Sequence, residues 1–155
     1  MAQELNVNPT YEFVVNRFVD ACSQHRAIKS FDTGTIDFLD ASSQNRVYPY
    51  IFLRPMASAY IKGTRTLSFE MYSLDIPKVK SQSNTEIIST TEMYVYDIMA
   101  YFNFNSATNL IPFEVNLINC VPVNEGFQDR VYGWVASIDF ITPFALNYCD
   151  YPSYP

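Results

Sequence analysis

The chain has 155 residues, of which 48% are hydrophobic, 16% aromatic and only 17% charged, with a formal net charge of -6. That size allows one compact domain whose core needs no disulfide or metal staple, and the apolar content argues against disorder. The acidic balance opposes a nucleic-acid-binding face and adhesion to an anionic membrane, and no apolar run approaches the roughly 20 residues of a membrane helix.

The first helix is expected to begin at Asn8, a good N-cap followed by Pro9, and to end near His25. Tyr11, Val14, Val15, Phe18 and Cys22 recur at helical spacing and form its apolar stripe. Residues 27–40 read as extended, with a bend or bulge at Gly34, and residues 40–46 as a polar turn. Residues 47–54, VYPYIFLR, form an almost continuous apolar run. Such a run predicts a strand covered on both faces, with Pro49 at its start or at a free N–H position.

Residues 55–64, PMASAYIKGT, read as a long connection with apolar content. Residues 64–75 predict the next strand. Leu67, Phe69 and Met71 alternate with polar residues, and both faces are covered from Tyr72 to Leu74. After a loop over 76–82, Ser83-Asn-Thr-Glu86 matches a capping box and opens a second helix expected to run to about Tyr101. Ile87, Ile88, Thr91, Tyr94, Val95, Ile98, Met99 and Phe102 form its stripe.

Two strands close the domain beyond a polar loop over 103–112. In the first, Phe113, Val115, Leu117, Val121 and Val123 are expected on one face; in the second, Tyr132, Trp134, Ala136, Ile138 and Phe140 are. Residues 124–130 suit a hairpin loop. The reading is an α+β domain over residues 1–142. It has two helices on a mostly antiparallel sheet of about five strands, in the order α-β-β-β-α-β-β. Residues 143–155, with three prolines and three tyrosines, form an extended C-terminal arm.

No established catalytic motif stands out, and the chain is read as not an enzyme. Asp32-Thr33-Gly34 is similar to the catalytic triplet of aspartic proteases, but two long helices and a late hairpin are the wrong plan, so it reads as a turn. The carboxylate pairs Asp37 with Asp40, Glu70 with Asp75 and Glu86 with Glu92 read as solvated acids. Cys22, Cys120 and Cys149 read as free thiols in a reducing compartment. With His25 the single histidine, no metal site and no cofactor is expected. A Cys22–His25 nucleophile on one helix lacks a third, orienting group. The opening segment, MAQELNVNPTYE, does not read as a signal peptide.

The low charge, the apolar 55–64 segment and the aromatic arm point to a protein that works in contact with others. Met56, Tyr60, Ile61 and Lys62, together with Tyr148, Tyr151 and Tyr154 of the arm, are the candidate subunit-interface residues.

The order of elements resembles that of tail-terminator and tail-completion proteins of tailed bacteriophages. Residues 47–55, VYPYIFLRP, look like the strand those proteins place after their first. Residues 66–75, TLSFEMYSLD, look like the next strand, and 83–92, SNTEIISTTE, like the helix that follows. The resemblance covers residues 8–141 through scaffold patterns. It implies a structural virion protein of the tail or neck, made in the host cytoplasm. It further implies a ring, a hexamer or dodecamer, at the head–tail junction or the tail-tube end. The implied partners are its own copies and other phage neck, tail or portal-adjacent proteins, with DNA as passing cargo that is not specifically bound. An acidic lumen would let that DNA slide. The alternative reading is a soluble ligand- or carbohydrate-binding α+β module.

Overall fold

The computed structural model describes residues 10–35, 46–106, 113–124 and 131–144. In chain order these form α1 (Tyr11–Gln24), β1 (Ser30–Thr33), β2 (Tyr50–Ile61), β3 (Thr64–Asp75), α2 (Asn84–Ser106), β4 (Glu114–Asn124) and β5 (Tyr132–Pro143). The strands make one sheet in the order β1-β2-β3-β5-β4. Only the β1–β2 pair is parallel, with Ser30 opposite Tyr50 and Thr33 opposite Leu53. The fold is α+β, with the expected element order.

The N-cap of α1 is Thr10, whose hydroxyl oxygen accepts from the Phe13 N–H at 3.1 Å. The helix therefore starts later than the Asn8–Pro9 pair suggests, and that pair lies outside the described residues. Val14, Phe18, Ala21 and Cys22 form its buried face, and His25 ends it in an extended conformation. At α2 the Ser83 hydroxyl accepts from the Glu86 N–H at 3.2 Å, as the capping box predicts. The helix continues to Ser106, past the expected end at Tyr101. Phe102 is buried and touches Phe18, Phe113 and Phe140 with ring centroids 4.7–6.2 Å apart, and no Gly or Pro interrupts the chain before Pro112.

Both helices contribute to one core with the same face of the sheet. Phe18 meets Phe69 at 5.6 Å, and Phe113 stacks on Phe140 at 4.9 Å. Two polar bonds tie α2 to the strands beneath it. Trp134 Nε1 donates to the Ile88 carbonyl at 2.7 Å, and the Ser73 hydroxyl donates to the Thr91 carbonyl at 2.8 Å. The other face carries a second cluster built on Tyr50, Phe52, Tyr72, Leu74 and Val131. The run 50–53 is thus covered on both sides, and Pro49 sits just before the strand behind a cis Tyr48–Pro49 peptide.

Two expectations about the strands need correction. The supposed connection over 55–64 is the outer half of β2 and its turn into β3. Ile61 pairs with Thr64 around Lys62–Gly63, both at positive φ (41° and 83°), which is the two-residue turn that matches strand twist. Pro55 hid the strand, because proline lacks a donor; a register shift between Pro55 and Ala57 absorbs it. In β4 the single apolar face fails at a bulge between Leu117 and Asn119. One extra residue reverses the alternation. Phe113, Val115, Leu117 and then Cys120 pack toward the helices, Val123 joins the opposite cluster, and Val121 is exposed.

Candidate functional site

The β2–β3 hairpin holds the four candidate interface residues that lie within the described part of the chain. Beyond Leu53, β2 has no strand on its outer side among the described residues, because β1 pairs only with Tyr50 to Leu53. Every residue from Pro55 to Ile61 is exposed. Met56 is 49% exposed, Tyr60 43% and Ile61 71%. Strand alternation sends Tyr60 and Ile61 to opposite faces of the hairpin, so apolar surface shows on both. Lys62 stands exposed at the turn.

The hairpin end is held in shape. The Tyr60 hydroxyl oxygen accepts from the Gly63 N–H at 3.1 Å, and the Tyr60 ring meets Phe144 edge-on at 6.2 Å. The Phe144 N–H donates to the Gly63 carbonyl at 2.9 Å. The Arg65 guanidinium lies 5.3 Å from the Phe144 ring centre and donates through Nε to the Ser58 hydroxyl at 3.3 Å. Pro143, read as the first residue of the arm, instead closes β5 opposite Thr64. Tyr148, Tyr151 and Tyr154 lie outside the described residues.

The chemistry-bearing residues singled out in the sequence are dispersed or occupied. Asp32 accepts from the Tyr50 hydroxyl at 3.1 Å. Thr33 and Gly34 both donate to the Leu53 carbonyl, so Asp-Thr-Gly ends an edge strand. Glu70 and Asp75 lie on opposite faces of β3. Glu70 pairs with Arg54 at 3.2 Å and accepts from the Tyr72 hydroxyl at 3.1 Å. Burial, then the Glu70 carboxylate, pushes the Tyr72 phenol above its usual range. Asp75 is buried on the helix side, and burial pushes its carboxyl upward although the Ile76 N–H bonds it.

Glu86 and Glu92, six residues apart, project from different sides of α2. Asp37 and Asp40 lie outside the described residues. His25 accepts from the Ala27 N–H at Nδ1, so Nε2 carries the proton and donates to Asp97 at 2.8 Å, tying α1 to α2. Burial pushes the Cys22 thiol up to about 12, which leaves it inert as a nucleophile. Among the described residues no group of His, Cys, Asp and Glu is placed to hold a metal ion, and no helix is long and apolar enough to cross a membrane.

A second exposed apolar region lies at the other edge of the sheet. Tyr96 on α2, and Ile118 and Val121 on β4, are 46%, 59% and 54% exposed. Glu92 accepts from the Tyr96 hydroxyl at 3.3 Å and, after burial, raises the Cys120 thiol of β4, which places this side of α2 beside that strand. Sequence reasoning missed the region, although a signal existed: Tyr96 falls out of phase with the buried stripe of α2. The bulge that exposes Ile118 has no such signature.

No protein-family model matches the chain, and no curated protein is significantly similar to it.

Proposed function

We propose that the chain is a structural subunit of a bacteriophage particle, a ring-forming protein at the head–tail junction or the end of the tail tube. The observation that carries this reading is the hairpin end. It presents Met56, Tyr60 and Ile61 to solvent on an ordered strand with no neighbouring strand on its outer side among the described residues. Exposed apolar strand edges are aggregation hazards that natural proteins cover, and a subunit built to be covered by a partner has reason to keep one. The sequence segments similar to tail-terminator proteins fall on the start of β2, on β3 and on the start of α2, which form one continuous part of the fold.

In this reading the partners are copies of the chain, in a hexamer or dodecamer, and adjoining neck, tail or portal-adjacent proteins. DNA passes through the ring as cargo, its sliding favoured by the net charge of -6. The reading assigns no cofactor and no catalysis, and it places the protein in the virion after synthesis in the host cytoplasm. Negative-stain electron microscopy of the purified protein at high concentration, alone and with the products of neighbouring genes, tests it. Rings with a central hole at least DNA-wide are expected; a chain that stays monomeric with every neighbour overturns it. A truncation after Phe144 keeps the contacts that close the hairpin end and isolates the contribution of residues 145–155 to assembly.

A further inference from the structure

Two stretches of this chain each carry charge of a single sign. Residues 41–69 contain Arg46, Arg54, Lys62 and Arg65 and no Asp or Glu. Residues 82–124 contain Glu86, Glu92, Asp97 and Glu114 and no Lys or Arg. The first stretch holds β2, its turn and the start of β3, with Arg54 already paired to Glu70 and Lys62 exposed at the turn; the second holds α2 and the edge strand β4, with Glu114 exposed at its start. Each side of the sheet adds exposed apolar side chains: Met56, Tyr60 and Ile61 at the β2 edge, Tyr96, Ile118 and Val121 at the β4 edge. Each also ends in a strand with no further strand beside it among the described residues, over 55–61 in β2 and over 114–124 in β4.

We infer that these two edges are the two halves of one head-to-tail contact. Residues 57–61 of one copy lie along residues 114–121 of the next. This inference rests on the ring reading above and assigns its subunit interface. Three physical features favour a second copy, and this polarity of contact. Unpaired strand edges supply backbone donors and acceptors that another strand satisfies. Apolar side chains on both edges gain from mutual burial. The charges favour the unlike pairing: β2 against β2 offers Lys62 no acid, since residues 55–62 hold none, and β4 against β4 offers Glu114 no base, since residues 114–124 hold none, whereas β2 running antiparallel to β4 sets Lys62 beside Glu114. A contact between two different surfaces repeats, and it closes into a ring when the rotation per subunit allows. Pro55 and Pro122, both exposed, lack N–H donors and bound the length over which the edges can pair.

Two double variants at exposed positions test the assignment by sedimentation velocity. Ile61→Glu with Lys62→Glu spoils the β2 edge and leaves the β4 edge intact. Tyr96→Lys with Ile118→Lys does the reverse. The wild-type chain is expected to show concentration-dependent species above its 17.8 kDa monomer. Each variant alone should associate at least about tenfold more weakly, because it brings like or buried charges into the contact. A mixture of the two variants should recover species above the monomer mass, since each supplies one intact edge and the two altered edges carry opposite charges. Circular dichroism matching the wild type checks that both variants are folded. A wild-type chain that stays monomeric at millimolar concentration overturns the inference. So does a variant that assembles like the wild type, or a mixture that stays monomeric. If wild type and both variants alike form rings with the neighbouring gene products, the ring reading stands and this interface falls. If none of them does, both fall.

Discussion

Both halves of β2 carry large apolar side chains, and their fates are opposite. Tyr50, Ile51, Phe52 and Leu53 are fully buried, while Pro55 to Ile61 are all exposed, and Arg54 marks the change. The inner half runs between β1 and β3, with a core on each face of the sheet. The outer half keeps β3 on one side and leaves β1 behind. An apolar side chain in a strand is therefore buried or exposed according to what lies beside and above it as well as its own hydropathy. The buried half should carry stability, and the exposed half should carry association.

Substitutions that separate these two roles should fall in a graded series. Phe52→Ala removes a fully buried ring from the inner half and should cost about 3–5 kcal/mol in urea unfolding. A loss under 1 kcal/mol would erase the distinction between the halves. Gly133→Ala comes next. Gly133 pairs with Leu74, itself opposite Tyr50, and an added Cβ would fall 1.8 Å from the Ser73 carbonyl oxygen. Backbone would have to move, so a cost near the upper end of about 1–3 kcal/mol is expected, with the mobility of the Trp134 indole N–H resonance changed.

Trp134→Phe keeps the ring over α2 and deletes the bond to Ile88. A loss of about 0.5–1.5 kcal/mol should follow, and a neutral result would show that the bond adds nothing beyond packing. Asp75→Asn tests the buried end of β3 through pH. Burial holds the Asp75 carboxyl above its ordinary value of 3.8. Just above that value the folded chain keeps a proton that the unfolded chain has lost. Stability therefore falls as pH rises through this window, and the Asn variant should lack that slope in urea midpoints measured across it. Smallest of all, Ile61→Ser at the exposed tip should change stability by less than about 0.5 kcal/mol while weakening self-association. A large unfolding penalty there would mean that the tip belongs to the core.

Much of the fold was legible in the residues because local chemistry wrote it. The capping hydroxyl of Ser83 lies three residues before the N–H it satisfies. The alternation in β3 and β5 names the buried face directly, and the continuous run at 50–53 announces a strand covered twice. The outer half of β2 was hidden because Pro55 reads as a break, and only pairing with β3 shows that a register shift absorbs it. The β4 bulge was hidden for a related reason: an inserted residue leaves no local mark and is visible only against the partner strand. The end of α2 moved because Phe102 gained partners from α1, from Phe113 just before β4 and from β5.

For the candidate surface the division is similar. The apolar character of Met56, Tyr60 and Ile61 was plain, and their exposure followed only once β1 proved too short to shield them. By itself the sequence determined which segments become helix or strand, which sides of them are apolar, and how charge is distributed along the chain. Those properties depend on near neighbours in the chain. Tertiary structure alone decided that the exposed outer half of β2 and the strand β4 stand apart in one sheet, with β3 and β5 between them. Strand order is set by long-range pairing, in which β5 inserts between β3 and β4, and no local pattern of residues encodes that insertion.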